Sequence, residues 1–221
     1  MLERWTAVDT LMEELFIGDD PVMEAILRHS DEGGLPDISV SPNQGKMLWM
    51  FVKQTGAKRI LEIGTLGGYS TTWLARALPE DGKLVTLEYS PIHHKVASEN
   101  IAKAGFADRV VARCGAGKDL MQEMIADGEE AFDLIFIDAD KDNYAAYFEL
   151  SLQLAHPGTL IIADNVIFNG DILDEEKKWN HLEGIREFLA AVSAEPTVQA
   201  VPLSIVDRKG WDGFLLVRVT A

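Results

Sequence analysis

Residues 59–70, Arg59-Ile60-Leu61-Glu62-Ile63-Gly64-Thr65-Leu66-Gly67-Gly68-Tyr69-Ser70, decide the fold. The first five are largely apolar, the pattern of a strand buried on both faces. Three glycines follow, and they permit a tight turn and a close approach of ligand to backbone. From Ser70 to Leu78 the apolar spacing becomes helical. Strand, glycine turn and helix, in that order, open a βαβ unit.

The alternation continues downstream. Strands are expected at Lys83–Glu88, Arg109–Cys114, Phe132–Ile137 and Thr159–Ala163. Helices are expected from Ser90-Pro91 to about Ala104 and at Gly117–Ile125, Asn143–Leu154 and Lys178–Val192. Val198–Leu203 and Gly213–Val219 end the chain as strands with no helix between them. The segment from Ser204 to Asp212 should join them as an antiparallel hairpin.

Upstream, Leu11, Glu14, Leu15 and then Val22, Ile26, Leu27 recur at helical spacing. Asp31 to Asp37 reads as a loop. Ser41-Pro42 starts a helix to about Thr55, with Ser as N-cap, Pro at the first position, and Met47, Leu48, Phe51 and Val52 facing inward. The chain therefore reads as a single α/β domain over 1–221, with N-terminal helices in 1–57 and a Rossmann-like core in 58–221. That core is a doubly wound, seven-stranded sheet, mostly parallel, with a C-terminal antiparallel hairpin.

Composition narrows the partners. A formal net charge of −16 repels polyanions, so no nucleic acid is expected, and the same field favours cations. Apolar runs such as Leu134–Ile137 and Leu160–Ala163 are far shorter than the ~20 residues of a membrane helix. The mixed charges of Met1 to Trp5 lack a signal-peptide core, and a cytoplasmic location is expected. The single cysteine, Cys114, forms no intrachain disulfide and is expected as a buried structural thiol.

In open sheets of this kind ligands bind beyond the carboxyl ends of the strands. The turn after Ile63 lacks the Gly-x-Gly-x-x-Gly spacing of a dinucleotide site. Glu62 beside it would repel a phosphate but suits an ammonium or sulfonium group, which favours S-adenosylmethionine over a nicotinamide cofactor. Glu88 stands where an acidic side chain accepts hydrogen bonds from ribose hydroxyls. The small residues Gly115, Ala116 and Gly117 either admit an adenine ring against the backbone or simply make a turn.

Asp138 follows one apolar run directly, and Asp164-Asn165 follow the next. Each could cap a helix. Two carboxylates and an amide at neighbouring strand ends, with Lys141 three residues beyond Asp138, better fit an oxygen-ligand site for a cation such as Mg²⁺. His93 and His94 are adjacent on a helix surface, cannot share a face, and are read as solvated. Trp179 and Trp211 either line an acceptor pocket or pack.

Four stretches together resemble the caffeoyl-CoA and catechol O-methyltransferase family, the metal-dependent class I methyltransferases. They are SPNQGK at 41–46, LEIGTLGGYS at 61–70, FDLIFIDADK at 132–141 and IADNV at 162–166. The likeness is close over about Val40 to Gly170. It implies Asp138, Asp164 and Asn165 as ligands of Mg²⁺, Mn²⁺ or Ca²⁺, and Lys141 and Asp138 as catalytic residues. It implies Glu62, Gly64, Thr65, Gly68, Ser70, Glu88, Ala116 and Asp138 as contacts of S-adenosylmethionine, with Val40 near its entrance. A small phenolic or catechol-like acceptor and a homodimer are implied too. On this reading the cation binds both oxygens of a vicinal diol, Lys141 takes a proton, and the oxyanion attacks the methyl carbon in line.

The chain departs from the family at Leu189, where many members carry Asn, and in the stretches Phe168–Asn180 and Asp207–Gly213, where acceptors are selected. Two rivals stand beside the main reading. One is a metal-independent methyltransferase whose carboxylates are helix caps. The other is a protein that binds S-adenosylmethionine without turnover.

Overall fold

The computed structural model describes residues 2–221. Seven strands form its sheet: β1 (Arg59–Ile63), β2 (Lys83–Glu88), β3 (Val110–Cys114), β4 (Phe132–Ile137), β5 (Ala155–Ala163), β6 (Val198–Asp207) and β7 (Gly210–Val219). Their spatial order is β3-β2-β1-β4-β5-β7-β6. The first five run parallel, while β7 lies antiparallel to both β5 and β6. The chain winds outward from β1 to β3, then returns to place β4 on the other side of β1. That reversal opens a crevice at the carboxyl ends of β1 and β4.

The β-strand period of two sends alternate side chains to opposite faces, and both faces are dry. Leu61, Ile63, Ile135 and Ile137 pack with Met121, Tyr144, Phe148 and Phe188. Those partners come from α6 (Gly117–Ala126), α7 (Tyr144–Gln153) and α8 (Asn180–Ala194). On the other face, Ile60, Leu134 and Phe136 meet Leu48, Val52, Trp73, Leu74 and Ala97. These belong to α3 (Pro42–Thr55), α4 (Tyr69–Ala77) and α5 (Pro91–Lys103). Each large apolar side chain buried this way contributes about 1.5–3 kcal/mol. The continuous apolar runs of β1 and β4 follow from this double covering.

The proline-led helix starts form as expected. Ser41 and Gln44 make a reciprocal capping box on α3, and the Ser90 hydroxyl accepts the His93 N–H on α5. Of the four inward residues expected on α3, Leu48 and Val52 are buried and Met47 and Phe51 half-buried.

Several expectations are corrected. Helix α1 (Leu2–Phe16) has the right period but a different docking face: Leu11 and Leu15 are 50% and 63% exposed, while Asp9 is buried. Asp9 accepts the Arg208 backbone N–H at 2.7 Å, and Glu13 pairs with the Arg208 guanidinium at 2.5 Å. The helix is thus seated on the hairpin tip by polar bonds. In α2 (Pro21–Glu32) the core takes Met23, Ile26 and Ser30, leaving Val22 and Leu27 exposed. Cys114 is exposed, because it ends the edge strand β3.

The segment 204–212 is a paired ladder closed by a tight turn at Arg208-Lys209, and not a loop. Strand β5 begins at Ala155, four residues earlier than expected, by pairing with Phe132. Residues Phe168–Leu173 form a 3-10 turn. The Arg186 guanidinium fastens this stretch and its continuation by donating to the carbonyls of Asp171, Ile172, Asp174 and Lys177. Among the described residues no helix is long and apolar enough to cross a membrane.

Candidate active site

A cleft of about 980 Å³ opens at the carboxyl ends of the parallel strands. It is lined by the turns after all five parallel strands, β1 to β5, as the winding reversal dictates. Val40, Gly64, Thr65, Ser70, Glu88, Ala116, Asp138, Lys141 and Asn165 all line it. These nine come from six places in the chain, and the topology alone brings them together.

Gly64 is required by the backbone. It sits at φ 97°, and a Cβ there would lie 2.0 Å from the Asp138 carbonyl oxygen. Only glycine lets the β1 turn pass so near the end of β4. Glu88 ties the same turn down from the other side. Its Oε2 accepts the N–H groups of Thr65 at 3.2 Å and Leu66 at 2.8 Å, and its Oε1 accepts the Ser90 N–H at 2.8 Å.

Glu62, expected at the ligand, lies behind the cleft wall and is fully buried. Strand alternation points it toward α4 instead of the crevice. There it accepts the hydroxyls of Ser70 at 2.6 Å, Thr71 at 2.5 Å and Thr86 at 2.7 Å. Burial pushes its carboxyl up to about 7, against the pull of these three donors. Of the residues bonded to it, Ser70 reaches the cleft. Gly68 is likewise not among the lining residues, and a Cβ there would point at Ala97 and Ile101 of α5.

The acidic corner lies between β4 and β5. Lys141 donates from Nζ to Asp138 Oδ1 at 3.0 Å and to the Tyr144 hydroxyl at 2.6 Å. Tyr144 is fully buried, and its own proton is offered to the Ile137 and Asp164 carbonyls, each at 3.1 Å. Burial and the neighbouring Asp138 charge raise the Asp164 carboxyl well above the carboxylate range, while Lys141 opposes them. Asn165 adopts φ 57°, a left-handed conformation that asparagine tolerates. Its N–H donates to Asp164 Oδ1 at 2.7 Å.

The donor set fits a hard divalent cation. Asp138 and Asn165 line the cleft and Asp164 is buried beside them; two carboxylates and one amide would offer oxygen ligands, and a positive charge would offset the repulsion between the crowded acids. Among the described residues no three His, Cys, Asp or Glu side chains gather as a metal centre of those types alone. The candidate set takes its third oxygen from Asn165.

Several lining residues were not anticipated. Phe168 packs on His181 as a tilted ring pair 5.3 Å between centroids, and Trp179 packs on His181 in the same tilted manner at 5.4 Å. Phe168 and His181 line the cleft, whereas Trp179 and Trp211 do not. Neither tryptophan is core packing: Trp179 is half exposed, and Trp211 lies over Gly170 and bonds Ser204. His93, read as solvated, also lines the cleft, with Nδ1 3.5 Å from Glu88 Oε1. His94 instead turns to the Ala112 carbonyl at 3.2 Å. Tyr147 lines the wall and donates to Asp140 at 2.6 Å. Both tyrosines lie on the helix expected over Asn143–Leu154, and their hydroxyls turn back toward the ends of β4 and β5.

Comparisons with known proteins agree with this geometry. A family model described as O-methyltransferase matches residues 13–219. The chain is 46% identical over 213 residues to a catechol O-methyltransferase of Niastella koreensis, covering 96% of each. It is 44% identical over 212 residues to a catechol O-methyltransferase of Mycobacterium tuberculosis, covering 96% of this chain and 94% of that one. Among solved structures, an O-methyltransferase from Bacillus cereus in complex with SAH superposes with a TM-score of 0.98 at 46% identity, with 100% of both chains covered. The match takes in the whole sheet and every residue of the cleft, and the chain belongs to the O-methyltransferase family.

Proposed function

We propose that this O-methyltransferase moves the methyl group of S-adenosylmethionine to a hydroxyl of a small catechol-like acceptor, with a divalent cation, Mg²⁺ first among the candidates, held by Asp138, Asp164 and Asn165. The observation that carries the proposal is the meeting of Asp138, Lys141 and Asn165 in one cleft with Gly64, Thr65, Ser70, Glu88 and Ala116. The donor half of the reading draws support from the relative bound to SAH, and the acceptor half from the relatives named as catechol O-methyltransferases.

Acidification of an acceptor hydroxyl and neutralisation of its negative charge are what a divalent cation supplies when bound at such a site. The chain's own residues do the rest. Thr65, Ser70, Glu88 and Ala116 would hold the methyl donor, with Val40 closing over its entrance. Phe168 and His181 offer two inclined aromatic rings in the cleft against which an aromatic acceptor can pack. Lys141 is the proton acceptor nearest the acidic corner. Its Nζ lies within hydrogen-bond reach of Asp138 and the Tyr144 hydroxyl. The O–H proton passes to nitrogen, the O–CH₃ bond forms, and the S–CH₃ bond breaks.

The proposal extends to a homodimer. Helix α1 leaves Leu11, Leu15 and Phe16 exposed, and a second copy is the partner the family resemblance suggests. Sedimentation velocity at micromolar concentration decides that point. The chemistry is tested by incubating the protein with S-adenosylmethionine, Mg²⁺ and catechol. Mass analysis should find a mono-O-methylated catechol and SAH in equal amounts. SAH without methylated catechol, or neither product, would reject the acceptor class.

A further inference from the structure

The glycine turn is gripped from both sides, and only the front grip is in the cleft. Leu66 adopts φ 49°, a left-handed conformation unfavourable for leucine. Strain of this sort persists only where the surroundings over-determine it. In front, Glu88 Oε2 takes the Thr65 and Leu66 N–H groups. Behind, Asn100 of α5 is buried at 2% exposure and donates from Nδ2 to the Gly67 carbonyl at 2.9 Å.

Donor bookkeeping fixes the rest of the rear contact. The Gly67 carbonyl can only accept, so the amide nitrogen of Asn100 faces it. The second Nδ2 proton points to Ser30 Oγ at 3.4 Å and the Ile26 carbonyl at 3.5 Å. Asn100 Oδ1 then faces His29 Nδ1 at 2.8 Å, and His29 must carry its proton on Nδ1. Both His29 and Ser30 belong to α2. Ser30 also fills the space behind the turn: a Cβ on Gly67 would lie 2.1 Å from its Oγ. The N-terminal helical layer thus reaches the turn through one buried amide.

We infer that Asn100, oriented by His29, is a positioning residue that holds the Gly64–Gly68 turn in the shape that receives the methyl donor. It touches neither donor nor acceptor. The inference rests on the proposal that this cleft binds S-adenosylmethionine. Its signature is a split in kinetic constants: donor affinity falls, while turnover at saturating donor and the acceptor KM hold.

The test uses two variants of the full chain. Asn100→Asp keeps the size of the side chain and the oxygen that receives His29 but removes the donor to Gly67. His29→Ala removes the orienting N–H from a residue at the surface, and it carries the test should the first variant fail to fold. SAH affinity is measured by titration calorimetry, and both KM values and kcat by steady-state methyl transfer. Asn100→Asp is expected to weaken SAH and raise the S-adenosylmethionine KM roughly tenfold, the scale of one hydrogen bond. His29→Ala should weaken both about threefold. In each, kcat and the acceptor KM should stay within about twofold. Normal SAH binding by the wild-type protein with unchanged affinity in both variants would overturn the clamp and leave the cofactor reading intact. A parallel fall in kcat and in both substrates' affinities would reduce Asn100 to a general structural residue. Failure of the wild-type protein to bind SAH would reject the cofactor reading, and with it the clamp.

Discussion

Strand β4 carries an aspartate at each end, and the two live in opposite surroundings. Asp133, near the amino end, is fully employed. Its Oδ2 accepts the N–H groups of Lys58 at 2.7 Å and Arg59 at 2.8 Å, and its Oδ1 meets His156 Nε2 at 2.9 Å. Burial alone would raise this carboxyl, but those donors outweigh it and hold the group below its usual value. Asp138, at the carboxyl end, has Lys141 as its salt-bridge partner and faces an open cleft beside Asp164. The same residue type serves as a latch at one edge of the sheet and stands at the other with Lys141 as partner, facing a cleft. Carboxylates whose hydrogen-bonding capacity is spent on the protein stabilise it; those left short are available to bind.

The sharpest way to break this contrast is at its upper end. Asp138→Ala should lower methyl transfer roughly 10³-fold or more, the scale of a lost electrostatic group at a reacting centre, with an unchanged melting profile. Steady-state turnover and circular dichroism on the same sample decide it. At the lower end, Asp133→Ala should leave kcat unaltered. It should cost about 1–3 kcal/mol of stability, since two backbone N–H groups lose their acceptor. Urea denaturation monitored by tryptophan fluorescence gives that number.

Asp164→Asn sharpens the comparison from within the cleft. It removes one of two crowded acids, so the metal-free protein should gain about 1–2 kcal/mol while turnover is lost. Thermal unfolding in chelator measures the gain, and an unchanged or lower midpoint would contradict the repulsion. The smallest effect is the pH response of the latch. His156 has its value raised, first by the Pro157 carbonyl and then by Asp133. A raised histidine contributes stability that is complete below its unfolded value, near 6.5, and is lost as pH climbs through the folded value. Asp133, lowered from 3.8, contributes above that value and loses its share as pH falls. The latch is therefore strongest between these limits. As His156 is partly exposed, replacing it by glutamine should remove no more than about 0.5 kcal/mol of pH-dependent stability. Unfolding curves at about pH 5.5 and pH 8 test this.

The ends of the central strands were the most legible feature of the sequence. The bounds of β1, β2 and β4 are those expected, because a doubly covered parallel strand is a continuous apolar run that stops at a marker: Gly64, Ser90 or Asp138. The edge elements were less legible. Strand β6 keeps few side chains buried, so its pairing leaves no period to read. The docking face of α1 depends on Asp9 meeting Arg208, 199 positions away, and no local pattern encodes that. At the cleft, nine of the residues that motif and position single out stand among its lining side chains. Glu62 and Gly68 stand outside the lining, in directions set by strand alternation and by the packing of α5, and so does the buried Asp164. His181 was missed because its role depends on the course of the 168–180 segment, which Arg186 fixes from α8.

On the proposed function, the carboxyl ends of β4 and β5 hold a cation on which methyl transfer depends, while Asp133 at the opposite edge holds the sheet together. Methyl transfer from S-adenosylmethionine to catechol, followed in excess chelator and then after Mg²⁺ is restored, tests it most directly in the wild-type protein and Asp133→Ala side by side. The account predicts that both proteins fall silent in chelator and recover with Mg²⁺ to the same kcat. Full turnover in chelator, or a kcat in Asp133→Ala that fails to recover while its fold is intact, would contradict it.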